Sequence, residues 1–301
     1  MSVPRAALAV ALLLVLAAAI ARSWSPGAEA TADEATDGGA AVDALPVERA
    51  VAAGQHWRLD TARGPVHVWV PDGYHPDGAA TVIYAHGYYT DVDRAWREHR
   101  LPHQFALAGV NALFIAPEVP SGARQRVHWP SLAELLVHVQ AATGVARPMG
   151  ATVAIGHSGA YRVMFAWMDH PDLDTIVAMD AMYGEVETWR GWLDAGPSRR
   201  LVTVGDDTVR WTEELARELG EAVVVLERFP DDGVAPPEAR AARVLYVRSQ
   251  FGHMPLVTEG VALPFVLRLL PVEILPGAPW REPLGLPPLP DAGPPDSLPP
   301  R

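Results

Sequence analysis

Thr152-Val153-Ala154-Ile155-Gly156-His157-Ser158-Gly159-Ala160, running on into Tyr161-Arg162-Val163-Met164-Phe165-Ala166-Trp167-Met168, is the stretch whose reading decides the fold. Thr152 to Ile155 is a short β-branched and apolar run with the character of a buried strand, and Tyr161 to Met168 carries a helical pattern. Between them stands a compact turn of glycine, histidine and serine. A tight strand-to-helix turn forces its central residue into a strained conformation and lifts that side chain clear of the sheet. Small neighbours are then required, since larger ones would collide across the turn. Gly156 and Gly159 meet that need, and Ala160, standing where a third glycine is usual, is the next smallest residue. A serine hydroxyl is a weak nucleophile, and it gains strength only where a base and oxyanion donors can reach it. Ser158 is therefore the candidate nucleophile.

Around this turn, apolar runs alternate with helical patterns. Strands are predicted at Val66–Val70, Thr81–Ala85, Ala112–Ile115, Thr152–Ile155, Ile176–Met179, Leu201–Val204 and Val244–Val247, with Val223–Leu226 a further candidate. Helices are predicted at Leu132–Ala142, Tyr161–Met168, Val186–Leu193, Thr212–Leu219 and Val261–Leu270. Continuous apolar strands belong to sheets covered on both faces, so the expected fold is α/β, a mostly parallel sheet flanked by helices. In such sheets ligands gather beyond the carboxyl ends of the strands. The polar residues at those ends are His86-Gly87-Tyr88, Ser158, Asp180, the pair Asp206-Asp207, and His253. Serine, acid, histidine is the chain order of one known triad arrangement.

With His86-Gly87, Gly156-His157-Ser158-Gly159 and His253 each behind a strand, residues 66–270 resemble the α/β-hydrolase superfamily. The resemblance implies that Ser158 attacks an acyl carbonyl, that His253 moves the proton, and that a carboxylate orients His253. It also implies that the backbone N–H groups of Gly159 and Tyr88 bind the oxyanion, with His86 and Gly87 shaping the oxyanion loop. The acid is open between Asp180 and Asp207, with Asp206 behind them. Gly205-Asp206-Asp207 follows the strand where an acid is commonest but is one residue short of the usual spacing, while Asp180 ends the preceding strand. Either aspartate could instead cap a helix. His157 is read as a packing residue of the elbow.

The formal net charge of −12 argues against nucleic-acid partners. The absence of cysteine excludes disulfides, a thiol nucleophile and a lipidated cysteine. Residues 1–21, with Arg5, an apolar run from Ala6 to Ile20 and Ala19-Ile20-Ala21, read as a signal peptide or an uncleaved N-terminal membrane anchor. Residues 22–45 read as a flexible acidic linker, 46–274 as the catalytic domain, and 275–301 as a disordered Pro-rich tail. Export and a bacterial source are expected, the latter from a composition rich in Ala, Arg, Gly and Pro.

Other signals count for less. His99 and His103 have helical ligand spacing, but Pro102 lies between them, so no metal site is expected there, and no cofactor motif occurs. Trp167, Trp189, Trp192 and Trp211 fit helix cores. The loop from Pro117 to Pro130 is expected to leave a strand beside the elbow and to overhang the pocket. The chain is thus expected to cleave a carboxylic ester or small amide, its small-molecule partner, through an acyl-serine. A cell-envelope peptidase or amidase, or a hydrolase-like binding domain without catalysis, is the alternative.

Overall fold

The structure is a computed structural model that describes residues 45–279. The signal or anchor segment, all but the last residue of the linker, and residues 280–301 of the tail lie outside the described residues. No described helix is long and apolar enough to cross a membrane.

Nine strands form one sheet: β1 (Gln55–Leu59), β2 (Val66–Val70), β3 (Ala80–Ala85), β4 (Ala112–Pro117), β5 (Thr152–His157), β6 (Leu173–Met179), β7 (Arg200–Gly205), β8 (Val223–Leu226) and β9 (Val244–Arg248). Their spatial order is β1-β2-β4-β3-β5-β6-β7-β9-β8. β1 and β2 pair antiparallel and β2 meets β4 antiparallel, while every other pairing is parallel. This is the α/β-hydrolase arrangement, with β8 added beyond β9 at the far edge.

Every residue of β3, β4 and β5 is buried, as the unbroken apolar runs require. Alternate residues face opposite layers. Val82, Tyr84, Val153 and Ile155 join one core with Leu101, Phe105 and Phe265. Ile83, Ala85 and Ala154 join the other with Leu135, Met164, Trp167 and Trp189. Local chemistry sets the helix ends. The helix Leu132–Thr143 begins where the Ser131 hydroxyl accepts the Glu134 N–H, and it stops at Gly144, at φ 73°.

Several elements depart from the sequence reading, among them short helices at Pro46–Ala53, Pro237–Ala241 and Pro255–Thr258 that it did not predict. β1 was not expected, because Gln55-His56-Trp57-Arg58-Leu59 is an edge strand with only alternate residues partly covered. Helices Val92–Glu98 and Leu101–Ala108 were also not expected, and they separate the two histidines of the discounted metal pair. Pro102 stands in the first turn of the second helix, where a missing N–H costs nothing. Finally, β3 lies between β4 and β5, so the loop after β4 does not leave a strand beside the elbow.

After the last helix, Ala262–Arg268, the chain returns to the domain. Ile274 bridges Val110, and the Leu275 N–H bonds the Gly109 carbonyl at 2.8 Å. The packed chain therefore runs past residue 274, because Leu275 is buried there.

Candidate active site

β5 delivers the elbow. Ser158 stands at φ 53° at the head of a single 3₁₀ turn, Ser158–Ala160, that leads into the helix Tyr161–Trp167. Crowding accounts for the small residues. A Cβ on Gly87 would stand 2.8 Å from the Ser158 Cβ, and one on Gly159 would stand 2.4 Å from the Tyr88 ring. On Gly156 it would meet the Met164 sulfur at 2.5 Å. Ala160 keeps an ordinary helical φ of −64°, so no glycine is needed there.

These contacts carry a prediction. Gly159→Ala must displace the rigid Tyr88 ring, and the oxyanion loop with it. Gly156→Ala meets a flexible thioether that can swing aside. Reaction with an activated ester should fall at least about tenfold in the first variant, as loss of an oxyanion donor costs about 100–1,000-fold. It should stay within a few-fold of wild type in the second.

The acid contact belongs to Asp180. Its side chain is wholly buried, and Asp180 Oδ2 lies 2.5 Å from His253 Nδ1. Its carboxylate also accepts the N–H groups of Asp206, Asp207 and Thr208 and the Thr208 hydroxyl, at 2.8–3.1 Å. Burial alone would raise this carboxyl's pKa. The hydrogen bonds from His253, Asp206 and Thr208 outweigh burial and hold it well below the usual carboxylate range. Asp180 itself sits at φ 48°, aimed by the turn that ends β6. Asp207, open as a rival on sequence, is an exposed residue whose carboxylate is 3.7 Å from His253 Nδ1, and Asp206 gives Asp180 only a backbone N–H. Both serve as part of the loop that wraps the acid.

His253 follows β9, half-buried, and its pKa is raised, first by the hydrogen bond to Asp180 and against the pull of burial. A cavity of about 520 Å³ is lined by Ser158 and His253 together with Tyr88, Tyr161, Tyr183 and the Arg94–Glu98 pair. Tyr183 was not singled out on sequence. It lies three residues past Asp180 and lines the cavity with Ser158. Its ring packs between Tyr161 and Trp211, and Trp211, on its helix, is itself packed against the core.

His86 is buried and fixes the loop after β3. Its Nδ1–H donates to the Gly87 carbonyl at 2.8 Å, and Nε2 accepts the Val119 N–H at 3.3 Å. The loop from Pro117 to Pro130 does not line the cavity. It supports from behind: the Ser121 carbonyl takes the Tyr89 N–H, and the carbonyls of Gly122 and Gln125 hold Arg162. His99 and His103 turn to separate partners, the Tyr84 hydroxyl and Glu48. Among the described residues, Asp180, Asp207 and His253 place ligand-type atoms near one another. The five donors already on Asp180 engage its oxygens as a hydrogen-bonding acid.

Burial holds two histidines of this region neutral, with pKa values pushed down to about 4 for His99 and about 3 for His157. The unfolded chain binds both protons near 6.5, so it carries more protons than the fold as pH drops below that value, and stability falls. His253, raised by its acid, works in the opposite sense and offsets part of the loss. The thermal midpoint should therefore be lower at about pH 4.5 than at about pH 7, and His157→Phe should lessen that drop.

No protein-family model matches this sequence, and no curated protein does. Among solved structures, the chain is similar to the feruloyl esterase module of Clostridium thermocellum complexed with sinapinate, at 10% identity over 70% of this chain and 87% of that one, TM-score 0.47. It is similar to S-formylglutathione hydrolase of Staphylococcus aureus, at 12% identity over 71% and 94%, TM-score 0.46. It is also similar to a bacterial membrane phospholipase A, at 14% identity over 88% and 98%, TM-score 0.40. Likeness at this level bears on neither substrate nor mechanism.

Proposed function

We propose that this protein is a serine hydrolase that cleaves a small carboxylic ester or amide through an acyl-Ser158 intermediate. The observation that carries the reading is the buried Asp180 on His253 Nδ1, with His253 facing the cavity that also holds Ser158 in its strained turn. In this reading the Ser158 oxygen attacks the acyl carbon and its proton passes to His253 Nε2. Asp180 stabilises the imidazolium and holds its Nδ1–H. The carbonyl oxygen becomes an oxyanion held by the N–H groups of Gly159 and Tyr88. Collapse breaks the bond to the leaving group, which takes the proton from His253, and water repeats the sequence to free the acid and Ser158. The cavity volume fits a small-molecule acyl group. The apolar N-terminal run supports work outside the cytoplasm.

The test is covalent labelling by a fluorophosphonate, which requires an activated serine, followed by a panel of matched esters and amides. Wild type should label, and His253→Ala should not. Folded wild-type protein that stays unlabelled and turns over no member of the panel would overturn the reading. Faster amide than ester turnover would replace the esterase assignment with an amidase.

A further inference from the structure

We propose that His157 is a positioning residue: it ties the backbone of the His253 loop to the elbow, fixing the general base relative to Ser158. The inference rests on the serine-hydrolase reading for its catalytic meaning, and on geometry for the rest.

Strand periodicity aims the side chain. Val153 and Ile155 point into one layer of the core, and His157, two residues further on, follows the same face of β5, away from Met164. There it is almost wholly buried, and its Nε2 lies 3.0 Å from the backbone carbonyl of His253, ninety-six residues along the chain. A carbonyl can only accept, so the His157 proton resides on Nε2. The two rings also pack together, with centroids 4.5 Å apart and planes inclined by 39°.

Two other neighbours close the pocket around the His157 ring. His99 stands edge-on at 6.0 Å, with its Nδ1 held by the Tyr84 hydroxyl at 2.8 Å. Gly87 of the oxyanion loop presses so near that a Cβ there would stand 3.2 Å from His157 Nδ1. The single ring hydrogen is committed to the His253 carbonyl and is not available for proton traffic. Burial, reinforced by the nearby His253 and His99, keeps the ring neutral down to about 3, so this donor pattern persists at working pH.

The division of labour is physical. Asp180 grips the His253 ring at Nδ1, yet a ring held at one atom still moves with its backbone. That backbone follows Gly252 and precedes the short helix Pro255–Thr258, whose Leu256 and Val257 N–H groups go to the carbonyls of Gly252 and Met254 and leave that of His253 free of the helix. His157 supplies the missing hold at the carbonyl. Phenylalanine could fill the same space but offers no donor. Glutamine can place an N–H near the Nε2 position while packing less well.

The experiment therefore sets His157→Phe against His157→Gln in the full chain. The readouts are fluorophosphonate labelling rate, kcat and KM on an ester that wild type turns over, and the far-downfield proton resonance of His253 Nδ1–H. A positioning role predicts that kcat and labelling fall at least about tenfold in His157→Phe with KM little changed, because small misplacement of a catalytic group can cost about 100-fold. His157→Gln should recover most of the loss, and the downfield resonance should weaken or broaden in the first variant and persist in the second. A merely space-filling role predicts the reverse order, with phenylalanine the better replacement, and that order would overturn the proposal. So would equal labelling and an unchanged resonance in both variants. If wild type does not label but the resonance responds as stated, the hydrolase reading falls and the hold on the His253–Asp180 pair stands.

Discussion

Ser158→Ala is expected to abolish fluorophosphonate labelling and to lower ester turnover on the order of a millionfold, the scale of loss when the nucleophile of a triad is removed. No other serine is available as a substitute at the turn: the residue after Ser158 is glycine and the one before it is histidine. The fold should survive, because alanine removes only a hydroxyl from a residue that lines the cavity with Tyr183. Unchanged far-ultraviolet circular dichroism with loss of labelling is the expected pair of results. Labelling retained in this variant would place the reactive group elsewhere.

Asp180→Asn should come next in magnitude, lowering kcat about ten-thousandfold. An amide at this position can present its NH₂ to His253 Nδ1, which then loses its own proton and stabilises the wrong tautomer. The same amide meets the N–H groups of Asp206, Asp207 and Thr208, which now bind a carboxylate, so one donor faces another. Asp207→Asn is the contrasting variant. Its carboxylate is exposed and sits beyond hydrogen-bonding reach of the ring, so turnover should change no more than a few-fold. The pH profile separates the two further. His253 must be neutral to accept a proton, and Asp180 raises its pKa above the ordinary 6.5, so activity in wild type should rise with pH above that value. Removing the acid removes the main cause of that rise, and the acid limb of whatever activity remains should move to lower pH. Equal losses in Asp180→Asn and Asp207→Asn would show that the two carboxylates act as one group.

The strands were legible from their continuous apolar runs: Val66–Val70 and the edge strand Val223–Leu226 have the expected bounds, and the other predicted strands differ at the ends by one to three residues. The elbow was legible because steric demand at Ser158 restricts its neighbours to small residues. β1 was not legible, since an edge strand that leaves Gln55, His56 and Arg58 to solvent has no apolar signature. The helices at Val92–Glu98 and Leu101–Ala108 are short, and Pro102 reads as a breaker unless the helix start is already known. The choice of acid was open for a different reason. Asp180 and Asp207 both end strands, and what separates them is a set of backbone N–H groups that curl around one carboxylate, a property of three-dimensional closure with no residue-type signal. The contact of His157 with the His253 carbonyl is of the same kind, joining residues whose identities fit many other roles.

Ser158 and Asp180 both hold positive φ, at 53° and 48°, where an L-residue costs about 1–2 kcal/mol relative to its preferred regions. Two of the residues assigned to the chemistry are thus places where the fold gives up stability. In a lineage exposed to heat but no longer needing the reaction, glycine at 158 would be an accessible gain, one that relieves the strain without disturbing β5 or the helix beyond it. On the proposed reading, serine at that position is held against a gain in stability, and turnover sets what that restraint is worth.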